Sequence, residues 1–272
     1  MKRFFVAVVV ASLAHVAVLA EDAPAKPWTN ATELGVIVTS GNSESTNFAF
    51  SNKYGYKWTN AEFLSNAGAL RTESTPNAFN LDGVLVEPPK ETTAESYFLD
   101  GKYRRTVTGD LFWYALAGWN RNRFQGIDSR LFGGGGIGYR FFETDRTKFS
   151  GEIGVDYTQE SPVDGEDRDF AGARGFLAYE QKIGESSKFV QELEILENLD
   201  DTDDLRARSL TSIQASLNAR LALKFAVRVL YDKQPATETL NDVDDLDGVA
   251  PPIVRELDEL DTILTATLVI NF

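Results

Sequence analysis

Apolar and polar side chains alternate with a period of two residues along most of this sequence. The clearest stretch runs from Leu221 to Asp232, where every second residue from Leu221 to Tyr231 is large and apolar. Between Phe48 and Trp58, aromatic rings recur at alternate positions. Successive side chains of a β-strand point to opposite faces, whereas an amphipathic helix repeats every 3.6 residues. The sequence therefore predicts an all-β fold.

The alternation predicts about twelve strands of 10 to 15 residues each. Their predicted spans are 31–40, 45–58, 61–72, 94–107, 111–123, 129–143, 147–159, 169–183, 187–198, 206–217, 221–232 and 260–272. Strands in globular sheets usually have about 5 or 6 residues, whereas strands that cross a bilayer at a tilt need roughly 9 to 11. A run of four glycines, Gly133 to Gly136, lies in one predicted strand. We expect it to bend the wall of the sheet.

These strands are long enough to span a membrane, and the sequence offers no helical alternative after residue 20. No later segment has the roughly 18 consecutive apolar residues of a transmembrane helix. A closed barrel is the other arrangement that satisfies every backbone polar group in lipid. We therefore predict a transmembrane up-and-down antiparallel β-barrel of about 12 strands over residues 21–272. A soluble secreted β-protein with its faces reversed is the fallback interpretation.

The connections between the predicted strands sort by parity. Even-numbered strands are followed by short turns, at residues 59–60, 108–110, 144–146, 184–186 and 218–220. Odd-numbered strands are mostly followed by longer segments, at residues 73–93, 160–168, 199–205 and 233–259. Outer-membrane barrels have short periplasmic turns and longer extracellular loops. The parity indicates this topology, with the amino terminus in the periplasm.

The amino terminus has the pattern of a secretory signal peptide. A basic start, Lys2 and Arg3, precedes an apolar run from Phe4 to Leu19. We expect cleavage after Ala20, so that residues 1–20 are the signal peptide and removal of 20 of the 272 residues leaves 252. Together with the predicted barrel, export indicates the cell outer membrane of a Gram-negative-type bacterium.

The carboxyl terminus has the pattern of a barrel assembly signal. Its alternating apolar face ends in an aromatic residue and consists of Leu264, Ala266, Leu268, Ile270 and Phe272. The expected partners are outer-membrane lipid and the barrel-assembly machinery. The sequence gives no indication of the oligomeric state. Aromatic residues at strand ends would form interfacial girdles, and the candidates are Tyr54, Tyr56, Trp58, Tyr139, Tyr157 and Tyr231.

Two terminal segments carry a resemblance to a known family. The segment from Glu33 to Thr46, with its Thr-Ser-Gly-Asn turn, resembles the opening hairpin of the domain-of-unknown-function 481 (DUF481) family, the salt-induced outer-membrane proteins. Residues 217–224, Tyr231-Asp232 and Asp261-Thr262 before Phe272 are similar to the end of that family. The resemblance implies an outer-membrane barrel over nearly the whole mature chain. It implies no activity, because the family's role is itself unsettled.

Composition excludes several classes of function. Loss of Lys2 and Arg3 from the 27 basic residues leaves 25 against 41 acidic residues, a net charge of −16, so nucleic acid is not an expected partner. The chain has no cysteine, and its one histidine, His15, lies in the predicted signal peptide. The mature protein thus has no histidine or cysteine to act as a general base or thiol nucleophile, its many carboxylates form no informative pair, and we expect it not to be an enzyme.

Acidic loops offer the only candidate metal ligands. They are Asp200, Asp201, Asp203 and Asp204 in one segment and Asp242, Asp244, Asp245 and Asp247 in another. Hard oxygen ligands of this kind suit Ca²⁺ or Mg²⁺, but neither segment has the spacing of a twelve-residue calcium loop. Solvated loops are the commoner explanation of such runs. We therefore predict no cofactor beyond loosely bound divalent cations.

The faces opposite the apolar ones carry charges of both signs, which a barrel would direct into its lumen. The principal lumen candidates are Lys53, Lys102, Arg104, Arg140, Glu152, Asp156, Arg174, Glu180, Lys224 and Arg228. We assign to the same faces Lys57, Arg121, Arg123, Arg130, Arg206, Arg208, Asp100, Glu192 and Glu194. Two functions remain open. The first is a non-enzymatic structural or envelope barrel with acidic extracellular loops, and the alternative is a narrow, porin-like passive channel for small solutes or ions.

Overall fold

The computed structural model describes most of the chain beyond the predicted signal peptide. The described residues are 26–39, 45–74, 79–81, 84–86, 91–235, 237–240, 253–256 and 258–272. The predicted signal peptide, residues 1–20, and the aspartates at 242, 244, 245 and 247 lie outside these ranges. Within the described residues, no helix is long and apolar enough to cross a membrane.

Twelve antiparallel strands form a closed barrel, which confirms the predicted fold and strand number. The wall strands are β1 (Trp28–Thr39), β2 (Ser45–Lys57), β3 (Ala61–Ser74), β6 (Glu91–Thr108), β7 (Leu111–Asn122), β8 (Ile127–Glu143), β9 (Thr147–Pro162), β10 (Arg168–Ile183), β11 (Ser187–Asn198), β12 (Leu205–Ser216), β13 (Leu221–Asp232) and β16 (Leu260–Asn271). Two short hairpins lie within connections: β4 (Phe79–Leu81) with β5 (Val84–Val86), and β14 (Thr237–Leu240) with β15 (Ile253–Glu256).

The barrel closes between its first and last strands. Pairing of β1 with β16 runs from Ala31 opposite Asn271 to Val36 opposite Ala266. One further backbone hydrogen bond, from Phe272 N to Asn30 O at 3.0 Å, extends the seam. Every other wall strand pairs with its neighbour along the barrel. Closure removes the exposed sheet edges that would otherwise leave backbone groups unpaired in lipid.

The two ends of the barrel differ in the length of their connections, as the parity of the sequence predicts. At one end, here the short-turn end, the strands are joined by residues 58–60, 109–110, 144–146, 184–186 and 217–220. At the other, here the long-connection end, β3 and β6 are joined by residues 75–90, and β13 and β16 by residues 233–259. The 3₁₀ helix η1 (Arg123–Gln125) joins β7 to β8 at this end and is followed by Gly126 with φ of +66°.

The outer face of the wall is apolar and exposed. On β9, Ile153 and Val155 project outward, and Leu99, Phe225 and Leu264 do so on other strands. Aromatic rings form a girdle near the short-turn end, in two groups whose contacting rings have centroid separations of 4.6 to 6.4 Å. Its members are Tyr56, Trp58, Tyr103, Trp113, Tyr139, Phe141, Phe142, Phe149, Tyr179 and Phe189. An apolar band with such a girdle is typical of a membrane barrel.

Glycines of β8 allow β9 and the Phe112 ring to approach this strand closely. A Cβ atom on Gly136 would lie 2.1 Å from the carbonyl oxygen of Ile153 on β9, and one on Gly138 would lie 2.2 Å from the Phe112 ring. Both glycines face the interior, where Phe112 and Tyr114 are nearly fully buried. These glycines therefore leave room inside the barrel for the aromatic side chains that surround the central cluster described below.

Candidate functional site

The charged side chains inside the barrel form the candidate functional site. All ten principal lumen candidates occupy inward positions, as the burial of alternate residues on their strands shows. The inward side chains fall into three groups: a central cluster, an upper cluster and a basic cavity. Each group joins strands that are far apart in the sequence.

The central cluster is built around Glu152 of β9 and also contains Lys102, Arg104, Arg174 and Glu194. Glu152 accepts hydrogen bonds from Lys102 Nζ at 2.8 Å, Arg104 Nη2 at 2.6 Å and Arg174 Nη1 at 2.9 Å. Its side chain is 0% exposed. Arg174 Nε donates to Glu194 at 2.7 Å. Glu152 and Glu194 thus share three cations, and Arg104 also pairs with a third carboxylate, Glu62, at 3.0 Å.

Aromatic and polar neighbours surround the central cluster. Tyr114 Oη accepts a hydrogen bond from Arg174 Nη1 at 3.2 Å. The charged ends of Lys102 and Arg174 lie 4.5 and 5.0 Å from the centre of the Phe176 ring. Cations above an aromatic face are attracted by its quadrupole, most strongly where water is excluded. These contacts cover the inner face of the wall from β6 to β10.

The upper cluster lies at the long-connection end and contains Glu160, Arg130, Arg168, Arg206 and Asp204. Glu160 pairs with Arg168 at 2.6 Å, with Arg206 at 2.9 Å and with Arg130. Arg206 Nε also donates to Asp204 at 2.9 Å. This cluster ties β8, β9, β10 and β12 together above the central cluster.

The basic cavity lies on the opposite side of the lumen, between β1, β2, β3, β6, β12, β13 and β16, and its volume is about 100 Å³. Its charged lining residues are Glu33, Lys53, Lys224 and Arg228, and Thr267 also faces it. Lys224 Nζ donates to both oxygens of Glu33, at 2.8 and 3.0 Å. Lys53 Nζ lies 3.9 Å from the nearer oxygen. The cavity thus has three cationic groups and one anionic group.

Two other principal candidates lie near the short-turn end. Arg140 is 3.2 Å from Glu143 and stacks over the Phe112 ring at 5.0 Å. Glu180 lies between Lys148 and Lys188, at 3.7 and 3.3 Å. Asp156, the remaining principal candidate, is buried on β9 between the central and upper clusters, where Thr158 Oγ1 is 3.5 Å away.

Two arginines assigned to the lumen faces by sequence lie elsewhere. Arg121 shares the outer face of β7 with Trp113 and Trp119, and pairs with Glu95 at 3.2 Å and Asp128 at 2.7 Å. Arg123 belongs to the connection η1. The assignment was wrong because β7 keeps strict alternation, which puts residue 121 on the face of its tryptophans.

Sequence reasoning missed Glu33 and Glu160, although each neutralises lumen cations. The prediction ended β9 at residue 159, whereas the strand continues to Pro162. The four-residue spacing of Glu152, Asp156 and Glu160 was the available signal, because residues four apart on a strand share a face. No comparable spacing marks Glu33.

The four described aspartates of the predicted cation segment have separate protein partners. Asp204 is buried against Arg206, and Asn198 Nδ2 also donates to it at 3.1 Å. Asp203 accepts a hydrogen bond from Lys233 at 2.8 Å, which lowers the pKa of the Asp203 carboxyl and raises the pKa of Lys233.

Asp200 and Asp201 complete this segment. Asp200 accepts from Ala171 N at 3.2 Å, and Asp201 accepts from Gln234 Nε2 at 3.1 Å. The described part of the chain holds no group of three or more acidic or histidine side chains that could hold a metal ion. Loose binding of divalent cations by these loops stays a prediction.

Solved outer-membrane proteins resemble this barrel at low sequence identity. The NanC porin is 9% identical, with a TM-score of 0.50 over 88% of this chain and 98% of that chain. The translocator domain of the autotransporter NalP from Neisseria meningitidis is 11% identical, with a TM-score of 0.47 over 92% and 90%. An anion-selective porin from Comamonas acidovorans is 10% identical, with a TM-score of 0.40 over 90% and 98%. At these identities the likeness concerns the fold alone.

Sequence comparison places the chain in a family without an assigned activity. No curated protein matches the chain. The family model described as "Protein of unknown function, DUF481" matches residues 32–249, which confirms the resemblance seen in the terminal segments. Because this match covers well over half of the 272 residues, the chain belongs to the DUF481 family.

Proposed function

We propose that this protein is a narrow passive channel for small solutes or ions in the outer membrane of a Gram-negative-type bacterium. The observation that carries the proposal is the cavity on one side of the lumen, opposite the charged central and upper clusters. Several inward side chains stay accessible to solvent, among them Lys53 at 45% and Arg208 at 53% exposure. Accessible charged groups inside a wall are the usual lining of a water-filled passage.

The outer surface supports the membrane location. An exposed apolar band and an aromatic girdle would be unfavourable in water and suit a bilayer and its interface. Lipid and the barrel-assembly machinery are the partners that such a surface requires. No enzymatic role is proposed, because the sequence after His15 has neither histidine nor cysteine.

A sealed structural barrel with acidic extracellular loops is the second candidate. The central cluster favours it, because Glu152 is fully buried beneath the cations that bridge β6 and β10. Such bracing would stiffen a barrel that acts through its loops. The two functions differ in one measurable property, the passage of ions.

Conductance of the purified, refolded protein in a planar bilayer tests the proposal. We expect discrete current steps at both polarities that grow with salt concentration. Ser51→Phe, whose ring would enter the cavity, should reduce the step size, because Ser51 lines it. Ser129→Phe on the outer wall is the matched control and should leave the steps unchanged. Silence from folded protein would instead favour the sealed barrel.

A further inference from the structure

We propose that the basic cavity binds one small oxyanion, such as an inorganic phosphate or a short carboxylate, with Arg228 as its principal ligand. This inference rests on the proposed channel and specifies its solute class. The ligands would be the Arg228 guanidinium, the Lys53 ammonium and the Thr267 hydroxyl, all of which line the cavity. One water needs roughly 10–15 Å³ by the same measure of cavity volume, so a space of about 100 Å³ has room for one small ion.

Arg228 differs from the other arginines of the lumen interior. Arg174 and Arg206 each contact two or more carboxylates, and Arg104 contacts Glu62 and Glu152. Arg228 makes no hydrogen bond or ion pair with any described residue. Only longer-range electrostatic effects reach it, from Arg208 and from Glu192 and Glu33. Arg228 is partly buried, and a guanidinium partly removed from water without a paired anion is unfavourable, so a bound anion would compensate it.

The single carboxylate of the cavity is already occupied. Both oxygens of Glu33 accept hydrogen bonds from Lys224. Lys53 is 3.9 Å from Glu33, beyond hydrogen-bonding distance. Lys53 and Arg228 therefore leave two positive charges for a ligand. No other acidic side chain lines the cavity among the described residues.

Thr267 supplies an independent indication of a polar ligand. Its hydroxyl is buried and has no hydrogen-bond partner within the described part of the protein. Buried polar atoms in native proteins nearly always have a partner, so an orphaned hydroxyl beside a cavity indicates something that fills it. An oxyanion would accept hydrogen bonds from this hydroxyl, from the Arg228 guanidinium and from the Lys53 ammonium.

Thermal unfolding of the refolded protein in detergent, with phosphate replacing chloride at constant ionic strength, tests binding without requiring conductance. We expect a saturable rise in Tm for the wild type, because a ligand of the folded state stabilises it. Arg228→Gln should weaken phosphate binding at least about tenfold. A tenfold change in affinity corresponds to about 1.4 kcal/mol, and a charge-assisted hydrogen bond contributes more than that. Thr267→Val should weaken phosphate binding by a smaller factor.

Lys188→Gln is the matched control. It also removes one positive charge from the lumen wall, but Lys188 pairs with Glu180 away from the cavity. Its phosphate dependence should equal that of the wild type. Lys53→Gln, at a side chain that is partly exposed, provides a second cavity variant if Arg228→Gln does not fold. The proposal is overturned if the wild type shows no saturable rise, or if Arg228→Gln and Lys188→Gln respond alike.

The reversal potential in a salt gradient separates this inference from the channel itself. We expect the ratio of anion permeability to cation permeability to be above one in the wild type. Arg228→Gln should at least about halve this ratio, and Lys188→Gln should leave it unchanged. Current steps without anion preference or phosphate binding would retain the channel and reject the oxyanion site. Saturable phosphate binding by a protein that conducts no current would support the site and reject the channel.

Discussion

Glu152 shows how much of this barrel's interior depends on a single carboxylate. Three cations of β6 and β10 converge on its two oxygens at 2.6 to 2.9 Å. Charges removed from water cost free energy, and their mutual attraction offsets that cost only while every member has a partner. Without the Glu152 carboxylate, Lys102, Arg104 and Arg174 would each keep at most one carboxylate partner.

Glu152→Gln should lower the free energy of unfolding by about 3–5 kcal/mol, the usual effect of breaking a buried ion pair from one side. The measurement is urea unfolding in detergent micelles or lipid vesicles. Glu143→Gln is the control, because Glu143 is an exposed carboxylate whose one ion-pair partner among the described residues is Arg140. It should cost less than about 1 kcal/mol. Equal effects of the two variants would contradict the central cluster's structural importance.

Gly136 gives a second test at the residue scale. The Ile153 carbonyl oxygen would be 2.1 Å from a Cβ atom at this position, too close for the two strands to stay in place. Gly136→Ala should therefore destabilise the barrel by roughly 1–3 kcal/mol, the range for overpacking, in the same unfolding measurement. Gly133→Ala, in the same run, would meet only the Leu116 carbonyl at 3.9 Å and should be tolerated. Equal losses would mean that the run matters for another reason.

At the scale of the element, the period of two was sufficient to predict each wall strand and its face. β13 exposes Leu223, Phe225 and Val227 and buries Lys224, as the alternation requires. The errors came from misplaced strand ends and from assigning one residue to the lumen by its charge. β9 is three residues longer than predicted, so Glu160 was not recognised as part of the strand. Arg121 was assigned to the lumen because it is charged, although it lies two residues from Trp119 and therefore on the outer face.

Ile153→Arg tests the outward face of β9. Ile153 is 65% exposed and lies midway between Phe149 and Tyr157, so its side chain should face the centre of the lipid. A charge there should cost roughly 2–4 kcal/mol when the protein is folded into vesicles. Val163→Arg, just beyond the end of the same strand, should cost no more than about 1 kcal/mol. A vesicle-folded Ile153→Arg protein of wild-type stability would show that this face does not contact lipid.

At the scale of the whole molecule, the barrel brings together groups that local patterns cannot pair. Lys224 and Glu33 are 191 residues apart, and Arg104 and Glu152 are 48 apart. Alternation indicated that Lys224, Arg104 and Glu152 face inward, but Glu33 was missed. Their partners depend on closure, strand tilt and register, which are set by the entire ring of strands. For this reason the sequence predicted a charged lumen but neither the three groups within it nor the lack of an ion-pair partner for Arg228 among the described residues.

The last strand allows assembly to be separated from stability. Phe272 donates its backbone N–H to Asn30, but its side chain is 66% exposed. Phe272→Ala keeps that backbone bond, so the refolded variant should unfold like the wild type. If the terminal aromatic residue is read by the barrel-assembly machinery, the same variant should accumulate at a reduced level in the outer membrane of cells. Phe142→Ala, another exposed aromatic residue of the outer face, is the control and should be assembled normally. An equal reduction for both variants would indicate that the girdle, and not the terminal residue, governs insertion.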